Sequence, residues 1–145
     1  MGTSIDLNAR IDLVSKQACF SQLSDEETHV LANLLVEQTI PAGTTIVTEG
    51  DPVDSFFLIV SGTADVKVIV RHDNSSEVKS VATLGAGDAI GLNETGFYLL
   101  TGARTATVVA ITEMVLLQLS IPRFHGFALA YSHVSEIMRK QAAQM

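Results

Sequence analysis

Residues 85–110 read Gly-Ala-Gly-Asp-Ala-Ile-Gly-Leu-Asn-Glu-Thr-Gly-Phe-Tyr-Leu-Leu-Thr-Gly-Ala-Arg-Thr-Ala-Thr-Val-Val-Ala. Five glycines and a single arginine fall between two strand-like runs, so a tight, backbone-exposing loop interrupts a β-rich region. Glycine lets backbone N–H groups approach an anion with no Cβ in the way, and successive N–H groups in tight turns form an anion-binding concavity. Arg104 adds a permanent positive charge on a planar donor fork that fits phosphate oxygens. Glu94 would accept hydrogen bonds, the complementary role that a sugar hydroxyl needs. The stretch therefore suggests a ligand with a phosphate at one end and a hydroxyl close by.

The chain on either side supplies a frame for such a loop. Leu7, Ile11, Val14 and Ala18 recur at helical spacing and predict an amphipathic helix from Ile5 to Ala18. Ser24 and Glu27 have capping-box spacing, and Val30, Leu31, Leu34 and Leu35 follow on one face, predicting a second helix from Asp25 to about Val36. After Pro41-Ala42-Gly43, short β-branched runs alternate with turns, and strands are expected near 38–40, 45–48, 56–60, 64–71, 78–84, 105–111 and 115–120. His72-Asp73-Asn74-Ser75-Ser76 reads as an exposed hairpin loop, and Asp65, Lys67 and Arg71 alternate with valines as on a strand with one wet face. Pro122 suits the first turn of a helix carrying Phe124, Phe127, Ala128 and Tyr131, and a last helix should run from Ser132 to Gln144. Many short strands without interleaved helices indicate a mainly β fold, an antiparallel jelly-roll (β-roll) with helices at both ends. One domain, 1–145, is expected: helical over 1–37, β-roll over 38–120, C-terminal helices over 121–145.

Composition narrows the function classes. No apolar run reaches the ~18 residues of a membrane span. A net charge of −7 argues against general binding to nucleic acid or anionic membranes, so any anion site must be local. Cys19 is the one cysteine and the N-terminus lacks a signal-like pattern, so a cytoplasmic location is expected. The histidines at 29, 72, 125 and 133 have no metal-ligand spacing, and no nucleophile elbow is present, so neither a metal site nor catalysis is expected. Gly85-x-Gly87-x-x-x-Gly91 lacks the βαβ setting of a dinucleotide loop.

The stretch resembles the phosphate-binding cassette of cyclic nucleotide-binding domains, matching at Gly87, Asp88, Ile90, Gly91, Arg104, Thr105, Ala106, Thr107 and Val108. Glu49-Gly50-Asp51 and Phe57-Leu58-Ile59-Val60-Ser61-Gly62 look like that family's two upstream glycine turns, and the likeness covers roughly residues 18–140. It implies a regulatory domain of the catabolite-activator or protein kinase A regulatory-subunit type that binds a 3′,5′-cyclic nucleotide, with cyclic AMP expected in preference to cyclic GMP. Its implied ligand set is Gly91, Glu94, Thr95, Gly96, Arg104, Thr105 and Ala106, with Val81 and Leu84 lining the base pocket. Ordinary core-facing strand residues are the equal alternative for those two. One departure stands out: the family's glutamate directly follows the glycine, whereas here Leu92 and Asn93 separate Gly91 from Glu94. The resemblance further implies signalling to an effector protein by movement of the C-terminal helices, the final helix being a lid or a homodimer contact. The competing expectation is an interaction module that keeps the roll and has lost the nucleotide. No helix-turn-helix segment follows residue 140, so the chain reads as a free-standing sensor or a fragment.

Overall fold

The computed structural model describes residues 5–93, 96–97 and 103–143. Two helices open the chain, α1 (Leu7–Ser15) and α2 (Asp25–Leu34), with a 3-10 turn at Ala18–Phe20 between them. Helix α1 is shorter than its apolar spacing predicts. Gln17 turns extended at ψ 125°, and its side chain donates back to the Leu13 carbonyl at 3.1 Å and across to the Gly87 carbonyl at 3.2 Å. The expected cap of α2 is present in both directions: Ser24 Oγ accepts from the Glu27 N–H, and Glu27 Oε1 accepts from the Ser24 N–H at 2.8 Å.

The strands are β1 (Val36–Ile40), β2 (Thr45–Val47), β3 (Ser55–Ser61), β4 (Ala64–Arg71), β5 (Ser76–Leu84), β6 (Ala89–Ile90), β7 (Leu92–Asn93), β8 (Gly96–Phe97), β9 (Thr107–Ala110) and β10 (Met114–Ser120). One four-stranded sheet has the order β1-β10-β3-β6, a second the order β2-β9-β4-β5, and β7 pairs with β8 as a hairpin. All pairings are antiparallel. The β4–β5 loop falls where the turn-rich sequence places it, closed by the His72 N–H donating to the Ser75 carbonyl at 2.7 Å. Helices α3 (Ile121–Ala130) and α4 (Ser132–Ala143) end the chain, with Pro122 in the first turn of α3. The observed fold is the mainly antiparallel β-roll with flanking helices that the sequence predicts.

β3 explains the layering. Its residues 55–59 are buried without a break, because successive side chains point to opposite faces and both faces are covered. Phe56 and Leu58, with Leu117 and Leu119 of β10, pack against Val14, Phe20, Leu31, Phe124, Phe127 and Val134 from the helical segments. Phe57 and Ile59, with Met114 and Leu116, face the interior of the roll beside Ile90, Val108 and Ala110. Rings join the layers: Phe20 stands 5.8 Å from Phe56 and 5.9 Å from Phe124, and Phe124 stands 6.0 Å from Phe127. Such aromatic pairs add about 0.5–1.5 kcal/mol each beyond area burial. The helices before and after the roll thus share one core.

A polar clasp also joins them. His133 Nδ1 of α4 lies 2.9 and 3.1 Å from the two carboxylate oxygens of Glu27 on α2, and the Glu27 side chain is almost fully buried. Burial pushes the Glu27 pKa up, but hydrogen bonds from the Ser24 backbone and from His133 outweigh it and hold the carboxyl below its ordinary value.

Two outcomes follow from this packing. A folded-state carboxyl held below its unfolded value contributes stability that is present above the unfolded pKa and lost as pH falls through the folded one. Urea midpoints of the wild type and of Glu27→Gln should therefore differ near neutral pH and converge as the pH drops below the carboxylate range. At the β3–β4 turn, Gly62 has φ +94°, and an added Cβ would sit 2.5 Å from the Glu113 carbonyl oxygen and 2.7 Å from Met114 Cγ. Gly62→Ala should cost about 2–4 kcal/mol in equilibrium unfolding. Gly43→Ala, also at positive φ but with nothing within 4 Å of the new Cβ, should cost only about 1–2 kcal/mol.

Candidate functional site

The site begins with a hook. Gly85-Ala86-Gly87-Asp88 forms a turn in which Asp88 Oδ2 accepts from the Gly85 N–H at 2.8 Å and the Gly85 carbonyl accepts from the Asp88 N–H at 3.0 Å. The turn is pinned to β3, where Gly87 N–H donates to the Ile59 carbonyl and Ile59 N–H donates to the Asp88 carbonyl, both at 2.9 Å. Asp88 is thus a turn-closing residue, and it delivers β6 to the edge of β3 with Gly91 immediately beyond. Gly91 has φ +89°, and a Cβ there would lie 2.9 Å from Arg104 Nη1 and 3.0 Å from the Ser55 carbonyl oxygen. Only a residue without a side chain leaves room for the guanidinium.

The second part is a backbone clamp. The Arg104 N–H donates to the Asp51 carbonyl at 2.7 Å, and the Arg104 carbonyl accepts from the Gly50 N–H at 2.9 Å. Pro52 and Ala103 form an isolated antiparallel bridge, and Thr107 Oγ1 accepts from the Glu49 N–H at 2.9 Å. The Glu49-Gly50-Asp51 turn therefore grips the Arg104–Thr107 stretch along its length. This fixes where the arginine starts, and the room left by Gly91 fixes where it ends.

Arg104 is 8% exposed. Its Nη2 donates to the Ser55 carbonyl at 2.9 Å and lies 3.6 Å from Asp54 Oδ1. Burial pulls the guanidinium's pKa below its ordinary value, while the charges of Asp54 and Asp51 push it back up. An arginine stays protonated through such a shift, so a cation is held inside the protein.

A cavity of about 170 Å³ adjoins it. Val47, Val53, Val66, Leu84, Ile90, Leu92 and Val108 form apolar walls, and Gly91, Arg104, Thr105 and Ala106 also line it. A second hollow of about 270 Å³ reaches Arg104 past Thr48, Asp51, Asp54, Ser55 and Gln118. Such a cavity suits a molecule with an apolar or aromatic body and one anionic group. Among the described residues, no three His, Cys, Asp or Glu side chains come together as a metal-binding group.

The structure brings together Leu84, Gly91, Arg104, Thr105 and Ala106 of the sequence-predicted set. Gly96 lies in the β7–β8 hairpin, paired with Asn93. Glu94 and Thr95 lie outside the described residues, as do Tyr98–Gly102. Val81 stands away from the cavity lining and is 56% exposed. The register of β4 and β5 passes from Val66↔Ala82 to Lys67↔Ser80, so Val81 is the extra residue of a bulge, and the facing of the strand changes there. Asp54 and Ser55, which hold the guanidinium, are absent from the sequence-predicted set. Their signal was the Asp-Ser pair just after the Gly50 turn, since a buried arginine requires a counter-charge and an acceptor close at hand.

Residues 37–131, more than half of the chain, match the family described as cyclic nucleotide-binding domain. Among curated proteins, the cAMP-dependent protein kinase regulatory subunit of Pyricularia oryzae is 37% identical over 78 residues, covering 53% of this chain and 19% of that protein. The subunit of the same name from Yarrowia lipolytica is 36% identical over 98 residues, covering 65% of this chain and 23% of its own. The chain thus spans about a fifth of the length of these relatives. Among solved structures, the N-terminal domain of a transcriptional regulator from Streptomyces coelicolor superposes with a TM-score of 0.76 at 26% identity, covering 92% of this chain and 91% of that one. The regulatory domain of Toxoplasma gondii PKA, crystallised with cAMP, shares the fold at a TM-score of 0.71 and 22% identity, over 86% of this chain and 46% of its own. No helix among the described residues is long and apolar enough to cross a membrane. The hook at Gly85–Asp88, the clamp at Gly50–Asp51 and the buried Arg104 are thus the local geometry of a chain that belongs to the cyclic nucleotide-binding domain family.

Proposed function

We propose that the cavity beside Arg104 takes a 3′,5′-cyclic nucleotide, cyclic AMP in preference to cyclic GMP, and that binding is relayed to the C-terminal helices. The observation that carries this reading is a nearly buried guanidinium at the edge of an apolar cavity. The cyclic phosphate would pair with Arg104, the base would lie against the valine and leucine walls, and Glu94 would take the ribose 2′-hydroxyl. Chains at 36–37% identity that carry the name cAMP-dependent protein kinase regulatory subunit support the choice of cyclic AMP. Thr105 beside Arg104 offers the hydroxyl through which a guanine amino group could compete. The role is binding and regulation, with no part in catalysis.

Asp54 offers the relay. Its carboxylate faces Arg104, while its carbonyl accepts from the N–H of Ile121, the first residue of α3, at 2.9 Å. A phosphate that draws the guanidinium toward the cavity weakens its hold on Asp54 and Ser55 and so disturbs the start of α3. A ligand shifts such an equilibrium only by its differential affinity for the two arrangements. The output is a contact of the C-terminal helices with an effector protein or with a second copy of the chain, in a cytoplasmic setting, and residues 1–145 act as one domain.

Isothermal calorimetry tests the reading. Removing one partner of a desolvated charge pair costs about 2–5 kcal/mol, so Arg104→Ala should weaken cyclic AMP binding by roughly thirtyfold to several thousandfold. An unchanged affinity in the folded variant would take Arg104 out of the site. In a thermal-shift titration, ligand at a hundred times its Kd should add about 2.7 kcal/mol of stability. No shift with either nucleotide at millimolar concentration would favour an interaction module that has lost its ligand. Gly91→Ala, which places a methyl group against Arg104 Nη1, should weaken binding by at least about tenfold through displacement of the guanidinium.

A further inference from the structure

β5 is the end strand of its sheet, and among the described residues it has one neighbour, β4. Every residue from Ser76 to Thr83 is exposed. An edge strand presents unpaired N–H and C=O groups that are ready to extend the sheet. On one side of the ribbon lie Ile69 and Val78, directly paired and 41% and 65% exposed, an apolar couple open to water. On the other side lie Glu77 and Lys79, two residues apart, with charged groups 3.9 Å from each other. Glu77 also stands 3.6 Å from His72 in the hairpin loop.

We propose that β5 pairs antiparallel with β5 of a second copy of this chain, about a two-fold axis beside Val78. The charge pattern selects the partner and the register. A two-fold axis normal to an antiparallel pair sets some residue opposite its own copy, so each register is defined by the residue at the centre. Centring on Glu77 opposes two carboxylates, and centring on Lys79 opposes two ammonium groups. Centring on Val78 sets Glu77 opposite the copy's Lys79 and Lys79 opposite the copy's Glu77, while Ser76 and Ser80 face each other. Directly opposite residues approach to about 4.5–5.5 Å, closer than residues two apart on one strand, and opposite charges there are favourable where like charges are not.

The same register places Ile69 and Val78 of both copies side by side in one apolar stripe across the joined sheets. Its length also fits: the pairing from Ser76 to Ser80 stops where the bulge at Val81 turns the strand away. The inference rests on the edge strand alone and is independent of what the cavity binds.

Charge reversal tests it by sedimentation equilibrium of the full chain across a concentration series. Wild-type protein should dimerise, and Glu77→Lys or Lys79→Glu alone should weaken the dimer by about tenfold, since the axis doubles each like-charge contact. The double variant Glu77→Lys/Lys79→Glu should recover wild-type association. Cross-linking gives a second readout, because Cys19 is fully buried, burial pushes its thiol up to about 12, and it will not compete in the folded protein. Oxidation of Val78→Cys should give a disulfide-linked dimer, and oxidation of Ser76→Cys should not. A wild-type monomer at all concentrations would overturn the proposal, as would a dimer that the single reversals leave intact. So would a double variant no better than the singles, or Ser76→Cys cross-linking as readily as Val78→Cys.

Discussion

The site depends on keeping a guanidinium out of water. Taking a charge into a protein interior costs several kcal/mol unless acceptors and counter-charge meet it, and most of what surrounds Arg104 answers that cost. The Ser55 carbonyl accepts from it, Asp54 and Asp51 lie within electrostatic reach, and Gly91 leaves room for it. The Asp51 and Gly50 backbone groups fix its main chain. Two loops far apart in sequence, 49–55 and 103–107, are therefore held together around one side chain. The counter-charge at the surface is a loose one: the Asp54 side chain is 82% exposed and stands 3.6 Å from the guanidinium. A group so held is stabilised enough to fold and remains open to a better anion.

The rest of the molecule makes that enclosure possible through β3 and β10, whose alternating side chains serve two cores at once. Phe56 and Leu58 are claimed by the helices while Phe57 and Ile59 are claimed by the roll. Neither core can shift far without the other, because each strand is the shared wall between them. The Asp54 carbonyl on Ile121 and the Glu27–His133 contact sit at two corners of this wall, where polar groups connect the roll to the helices and the helices to each other.

Much of this was legible in the sequence, for local physical reasons. The Ser24–Glu27 cap, the hairpin at His72–Ser75 and the unbroken apolar run from Phe56 to Val60 each depend on neighbours within a few residues, and each falls where the pattern predicts. Arg104 and Gly91 could be singled out because the glycines before the arginine and the Thr-Ala-Thr-Val after it form a local pattern that resembles the phosphate-binding cassette of cyclic nucleotide-binding domains. What was not legible depends on distant partners. Helix α1 stops early because Gln17 reaches Gly87, seventy residues on, which no window along the chain contains. Val81 and Leu84 read alike as strand residues, yet a single inserted residue at Val81 leaves one in solvent and the other in the cavity wall. Asp54 and Ser55 become meaningful only once the fold brings a buried cation to them.

The dual role of β3 has a corollary for how the protein is divided. The stretch that matches the family runs from 37 to 131, but the back of β3 rests on Val14, Phe20 and Leu31 before that stretch and on Val134 after it. The inherited ligand-binding module and the unit that keeps water off its own aromatic residues are different lengths of chain. A piece trimmed to the inherited boundaries would carry every cavity-lining side chain and keep Phe124 and Phe127 against β3, yet it would strip Val14, Phe20, Leu31 and Val134 from the same face and leave Phe56 and Leu58 half-roofed, a greasy panel partly open to water.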